Sequence, residues 1–176
     1  FNTVNEDFTA YGLLDHRHTP EIEQVIGAQV LFTPHLAPMN RGILATCYAR
    51  PSVSVQPTTQ SLLAALAKTY AKEPFVVVRP TSPSTKATLG SNAAHLTARF
   101  DERTGTVMVI CAIDNLTKGA SGGAVQAANV ALGIPETAGL TAAQRELLDR
   151  HCSECHSQDD FAGGIAFDLL DTGNLL

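Results

Sequence analysis

The chain has 176 residues, is 44% apolar and carries a formal charge of -5. That length and apolar fraction suffice for one domain with a buried core plus a tail, and exclude wholesale disorder. The acidic balance lacks the clustered Lys and Arg of a phosphate-binding face, which argues against a nucleic-acid partner. No apolar run approaches the roughly 18 residues that cross a membrane, so no membrane partner is expected.

The sequence opens on Phe1 with no charged start leading into an apolar run, so no secretory signal is seen. Phe1 is read as an interior position of a longer product. Residues 1–15 are polar and read as irregular. Thr19-Pro20-Glu21 then opens a short helix, with Thr19 as its cap, Pro20 in its first turn, and Gly27 as its stop. Gln29–Thr33 and Ile43–Ala49 read as strands. Thr59–Lys72 carries Leu62, Leu63, Leu66 and Tyr70 at helical spacing, and Glu73-Pro74 ends it.

Phe75–Arg79 reads as a short strand, and residues 80–90 as a loop rich in Pro, Ser and Thr. Ala93–Phe100 and Thr106–Ile113 flank Asp101-Glu102-Arg103-Thr104-Gly105, the pattern of a hairpin. Ser121–Leu132 is a small-residue helix stopped by Gly133. A boundary falls near residue 140, after which Thr141 caps a further amphipathic helix that runs into a cysteine-rich tail. The expected class is α+β: a mixed, largely antiparallel sheet with helices on one face, then a short helical tail. Gly119-Ala120-Ser121-Gly122-Gly123 only superficially resembles a dinucleotide-binding turn, because no strand-to-helix glycine fingerprint surrounds it.

Two of the four cysteines, Cys47 and Cys111, sit singly in apolar strand-like runs and read as small buried hydrophobes. Cys152 and Cys155 form a pair flanked by His151 and His156.

The densest polar constellation is His16-Arg17-His18-Thr19-Pro20-Glu21. Imidazoles suit proton transfer near neutral pH, a nearby carboxylate can orient one, and the following helix start favours an anion. An exposed polar loop leading into a helix explains the same residues without chemistry. The string from Tyr11-Gly12 to His16-Arg17-His18-Thr19-Pro20-Glu21-Ile22 resembles a signature of N-acetyl-gamma-glutamyl-phosphate reductases. Further blocks in the same order are similar to that family: Phe32–Ile43, Gly90-Ser91-Asn92, Ala112–Gly122 and Pro135–Leu140.

The resemblance implies an arginine-biosynthesis oxidoreductase of the semialdehyde-dehydrogenase type, working in the cytoplasm. In that family a Rossmann half carries NADP and a nucleophilic Cys. A second half, glyceraldehyde-3-phosphate-dehydrogenase-like in fold, carries the catalytic His and the contact between copies, in a dimer or tetramer. Residues 1–140 correspond to the second half; the Rossmann fingerprint and the nucleophile's motif are not among these 176 residues. By resemblance His16 is the catalytic imidazole, with His18 and Glu21 in support. Arg17, Arg41, Ser91 and Asn92 fall to the acyl-phosphate substrate, guanidinium groups matching its oxyanions. Asn115, Lys118, Gly119 and Ala120 fall to NADP. No metal is implied.

Cys152-Ser153-Glu154-Cys155-His156 is the pattern by which haem c is attached through two thiols and one histidine. A zinc site and an inert exposed tail are the other readings. Only about 20 residues follow His156, short for a cytochrome fold. Covalent haem attachment also belongs outside the cytoplasm, where the reductase works. Three function classes therefore stand at this point: a reductase half inactive without its partner half, a haem electron-transfer segment, and a non-catalytic dimerisation module.

Overall fold

The computed structural model describes residues 6–52, 54 and 56–141. The expected tail helix and the Cys152–His156 group lie outside the described residues. The described chain forms two compact units, one up to Asn40 and one from Arg41 onward.

The first unit holds strand β1 (Thr9–Ala10), helix α1 (Thr19–Ile26) and strand β2 (His35–Leu36). β1 and β2 pair antiparallel, and Tyr11 N extends the pairing by donating to the Pro34 carbonyl. The expected strand at Gln29–Thr33 does not form. Val30 N is taken by the Glu23 carboxylate at 2.9 Å, which leaves the ladder to the next residues along. The expected cap also moves by one residue. His18 occupies the cap position of α1 and gives no side-chain cap bond, while Thr19 N donates to the His16 carbonyl. Pro20 sits in the first turn and Gly27 ends the helix at φ 71°, as the sequence implies.

The second unit is built on a four-stranded sheet in the order β3–β6–β5–β4. β3 (Ile43–Ala49) and β6 (Thr106–Ile113) pair antiparallel, and β5 (Ala94–Asp101) and β6 form the expected hairpin. Gly105 turns at φ 65°, and the Asp101 carboxylate accepts from Arg103 N and Thr104 Oγ1. β4 (Val76–Val78) runs parallel to β5, because a 15-residue connection containing a short 3₁₀ turn returns the chain to the same end. Helix α2 (Thr59–Thr69) packs on β5 and β4. It opens with a reciprocal cap in which Thr58 and Ser61 exchange side-chain and backbone bonds. A π-helical turn (Thr117–Ser121) leads into α3 (Gly122–Ala131).

Register decides where chemistry can gather. Ile113 pairs with both Ile43 and Ala94. The residues just before β3 and β5 are therefore brought beside those just after β6. Arg41-Gly42, Gly90–Ala93 and Asp114–Thr117 meet at that end of the sheet. Much of the core is here and it is unusually polar: Thr88, Ser91, Asn92 and Asp114 are as buried as Phe75, Ala93 and Ala112.

Strand β3 departs from expectation. All seven of its residues are exposed, Cys47 among them, so Cys47 is not the buried hydrophobe that its apolar run suggests. An edge strand leaves one flank unpaired, and α2 packs on the far side of the sheet order, at β4 and β5. Cys111, one strand inward, is half-buried, and burial, then neighbouring Cys47, push its thiol up.

Gly42 and Gly133 give a contrast that tests this description. Gly42 has φ 120°, and an added Cβ would meet Thr85 Cβ at 2.5 Å. Gly133 has φ 68° with nothing within 4 Å of an added Cβ. Gly133→Ala should destabilise by about 1 kcal/mol through backbone conformation alone. Gly42→Ala should destabilise by about 3 kcal/mol or more, through backbone and overlap together. Urea denaturation of the two variants measures both, and equal losses would contradict the packing at Gly42.

Candidate functional site

In the first unit the candidate residues converge on the His16 ring. It lies edge-on to Tyr11, His18 and Phe32, with ring centroids 5.4, 4.9 and 5.2 Å away. Gly12, at φ 55°, closes a further side; a Cβ there would meet His16 Cδ2 at 2.9 Å. The backbone N–H of His18 donates to His16 Nδ1 at 3.3 Å. That bond fixes the neutral tautomer: Nδ1 accepts, so the proton sits on Nε2. The ring is thus held by packing and by one bond, with Nε2 left free of a partner among the described residues.

The other residues of this constellation are placed differently. Arg17 and Glu21 are exposed, and Glu21 forms no hydrogen bond or ion pair among the described residues. The carboxylate with structural work nearby is Glu23, through Val30. His35 stacks on Phe8 at 5.2 Å, with its Nδ1 3.2 Å from the Thr33 carbonyl oxygen.

The second unit holds the other candidates around one buried carboxylate. Asp114 is 0% exposed. Its Oδ2 accepts from Gly90 N at 2.6 Å and from Arg41 Nη2 at 2.8 Å. Its Oδ1 accepts from Leu116 N at 2.8 Å and Thr117 N at 3.0 Å. Burial pushes its pKa up, yet the bonds from Gly90, Thr117, Arg41 and Leu116 together outweigh burial and hold it at about 2. Thr117 Oγ1 takes a second bond from Arg41 Nη2 at 3.0 Å. The next side chain along, Asn115, accepts from Gly42 N at 2.7 Å.

Ser91 and Asn92, expected at the substrate, are buried in this framework. Ser91 Oγ donates to the Thr88 carbonyl and accepts from Ala93 N. Asn92 Nδ2 donates to Gln126 Oε1 at 2.9 Å, and its Oδ1 is buried without a partner. Gln126 Oε1 also accepts from Lys118 Nζ at 2.6 Å, and its Nε2 donates to Glu136 Oε1 at 2.6 Å. His95 is buried in β5 with an unpartnered Nδ1; burial, then the Arg79 charge, push its pKa down.

Of the four residues expected at a dinucleotide, Asn115 spends its carbonyl oxygen on Gly42. Lys118 lies over Phe75, 5.4 Å from the ring centre, and lines a groove of about 480 Å³ along α3 with Gly123, Gln126, Ala127 and Val130. Gly119 and Ala120 are exposed. Lys118 Nζ is held by Gln126 as the Asn115 side chain is by Gly42, while the backbone at Gly119 and Ala120 is exposed. The haem group Cys152, Cys155 and His156 lies outside the described residues, and no cluster of three metal-ligating side chains occurs among the described ones.

Sequence reasoning missed Asp114, Thr117 and Gln126. Asp114 did carry a signal: Asp followed three residues later by a helical turn is a capping pattern, and Asp114 caps Leu116 and Thr117 in that way. Its depressed pKa sets a stability window. The ionised form is favoured by folding, so its contribution is complete above the unfolded value of 3.8 and is lost as pH falls through about 2. Acid titration of stability should show a loss of about 2 kcal/mol across that window from this group. Asp114→Asn should remove it; an unchanged acid profile in that variant would contradict the assignment.

Comparison with known proteins places the chain in a family. Residues 1–115 match the family described as semialdehyde dehydrogenase, dimerisation domain. An N-acetyl-gamma-glutamyl-phosphate reductase of Acidothermus cellulolyticus is 55% identical over 134 residues, which is 72% of this chain and 38% of that protein. The protein of the same name from Desulforudis audaxviator is 51% identical over 148 residues, 80% of this chain and 42% of the relative. That from Heliobacterium modesticaldum is 44% identical over 154 residues, 81% and 44%. The chain therefore spans about two fifths of the length of the curated relatives it matches. By the extent of the family match, the chain belongs to the semialdehyde dehydrogenase dimerisation-domain family.

Proposed function

We propose that this chain is the portion of an NADP-dependent N-acetyl-gamma-glutamyl-phosphate reductase that supplies the acid–base imidazole and the contact between copies. The observation that carries the reading is the His16 ring, clamped by Tyr11, His18 and Phe32 with Nδ1 bonded and Nε2 left free. In this reading a cysteine thiolate from the remaining length of the enzyme attacks the acyl phosphate, forming the C–S bond and releasing phosphate. NADPH, when bound, supplies the hydride that turns the thioester into the semialdehyde. His16 Nε2–H donates to the reacting sulfur or oxygen, and a proton passes from Nε2 only from the imidazolium, formed when Nδ1 leaves the His18 N–H and is protonated. Arg17 and Arg41 meet the substrate's oxyanions, and Lys118, Gly119 and Ala120 meet the dinucleotide. His18 orients His16 through its backbone N–H. The enzyme works in the cytoplasm, where NADPH and reduced thiols are at hand.

The exposed apolar strand β3 supports the contact between copies. Ile43, Leu44 and Tyr48 are 47, 52 and 70% exposed on the edge of the sheet, and such a surface is covered by association. Light scattering should find the chain dimeric or larger, with Leu44→Asp shifting it towards monomer. A parent chain that is strictly monomeric would sink this part of the reading.

Acid–base catalysis by a positioned imidazole contributes about a hundred- to ten-thousand-fold. With a relative's nucleotide-binding half joined ahead of residue 1, His16→Ala should lower kcat by about that factor and change KM less. His35→Ala and His95→Ala should stay within about tenfold of the parent, and His18→Ala should fall between. Steady-state kinetics on the four variants decides the matter. Near-parental turnover in His16→Ala with none in His18→Ala would transfer the role to the second histidine.

A further inference from the structure

We propose that Asp114 is a positioning residue for Arg41, holding the guanidinium so that one edge faces an oxyanion of the substrate. The proposal rests on the reductase reading above and deepens it, since nothing assigns Asp114 a part in the reaction.

The geometry is specific. Arg41 Nη2 donates to both Asp114 Oδ2 and Thr117 Oγ1, which uses both of its hydrogens. Arg41 Nε is buried with no partner. Among the described residues Nη1 has no hydrogen-bond partner, and the side chain keeps 35% exposure. One edge of the fork is therefore fixed, one nitrogen is sealed, and the open part is Nη1. The backbone beside it is fixed too, because Gly42 N is held by Asn115. Asp114 cannot move to follow Arg41, since three backbone donors, Gly90, Leu116 and Thr117, pin its two oxygens.

A purely structural ion pair would be expected to satisfy the whole guanidinium, because a buried unmet donor is unfavourable. Here Nε is buried without a partner and Nη1 opens to solvent, while Nη2 is doubly held. That arrangement suits a group kept ready for a further partner. Asp114 also divides its charge among four donors, so Arg41 retains attraction for a second anion. A guanidinium held in this way binds a carboxylate or a phosphate directionally, and loses far less freedom on binding than a mobile one.

The test uses the 176-residue chain and nitrogen NMR of the arginine guanidinium groups, titrated separately with N-acetyl-L-glutamate and with inorganic phosphate. The Arg41 signal should shift saturably with one or both. The arm that shifts it tells whether Arg41 meets the carboxylate or the phosphoryl end. Asp114→Asn should weaken that binding by about tenfold or more, and Asp114→Glu should recover part of it. Thr117→Val, which leaves the buried carboxylate in place, should weaken it by about threefold, and guards against an Asp114→Asn chain that fails to fold. Binding of N-acetyl-L-glutamate by the parent should be flat between about pH 6 and 8, since Asp114 and the ligand's carboxylates stay ionised throughout.

Parent-like affinity in folded Asp114→Asn and in Thr117→Val would overturn the proposal and leave the reductase reading standing. A folded parent whose Arg41 signal moves with neither anion would overturn it as well. In that case the reductase reading is judged separately by the His16 kinetics.

Discussion

A carboxylate with no exposure to solvent is the constraint around which the larger unit is organised. Asp114 stands just beyond the end of β6, and its burial is tolerable only because four donors reach it. Those donors come from three separate stretches: the residues leading into β3, the loop before β5 and the turn after β6. Satisfying one charge therefore fixes three loops. The sheet register makes this possible, since Ile113 pairs with Ile43 on one side and Ala94 on the other. Gly42 and Gly122 record how closely the backbones then approach: a Cβ at either would overlap Thr85 or Asn92. The three loops are thus tied to one another through a single carboxylate.

The imidazole of the smaller unit is held by different physics. Among the described residues no charge anchors His16. Three aromatic rings, a glycine without a side chain and one backbone N–H define its position. Aromatic edges restrain orientation without setting a proton's location; the bond to Nδ1 does that. The two devices are complementary. A guanidinium that recognises an anion is best fixed by a buried countercharge. An imidazole that must change protonation during a reaction is better fixed by neutral contacts, which do not bias it towards one charge state.

Most of the sheet was legible because its signals are local. The hairpin at Asp101–Gly105, the amphipathic α2 and the stop at Gly133 each announce themselves within a few residues. Three things were not. The parallel pairing of β4 with β5 depends on where a 15-residue loop returns, which alternation of side chains does not encode. The pairing of Thr9–Ala10 with His35–Leu36, in place of a strand at Gln29–Thr33, turns on the capture of Val30 N by Glu23, seven residues back. The exposure of β3 has the same origin: a strand of Ile, Leu and Cys looks buried in the sequence, but edge position in a sheet is a property of topology. At the site, His16 and Arg41 were found through motif resemblance. Asp114, Thr117 and Gln126 were passed over because their importance lies in partners 24 to 76 residues away or in a network closed only by folding.

We propose that these residues are the imidazole-bearing portion of a reductase, its nucleotide-binding portion matching the rest of the relatives' length. The most direct measurement joins that portion of the Acidothermus cellulolyticus relative to this chain. The fusion is then supplied with N-acetylglutamate semialdehyde, phosphate and NADP, and NADPH absorbance is followed. The fusion should form NADPH in a phosphate-dependent way, and the unfused chain should form none. A folded fusion without phosphate-dependent turnover, or turnover by the 176-residue chain on its own, would contradict it.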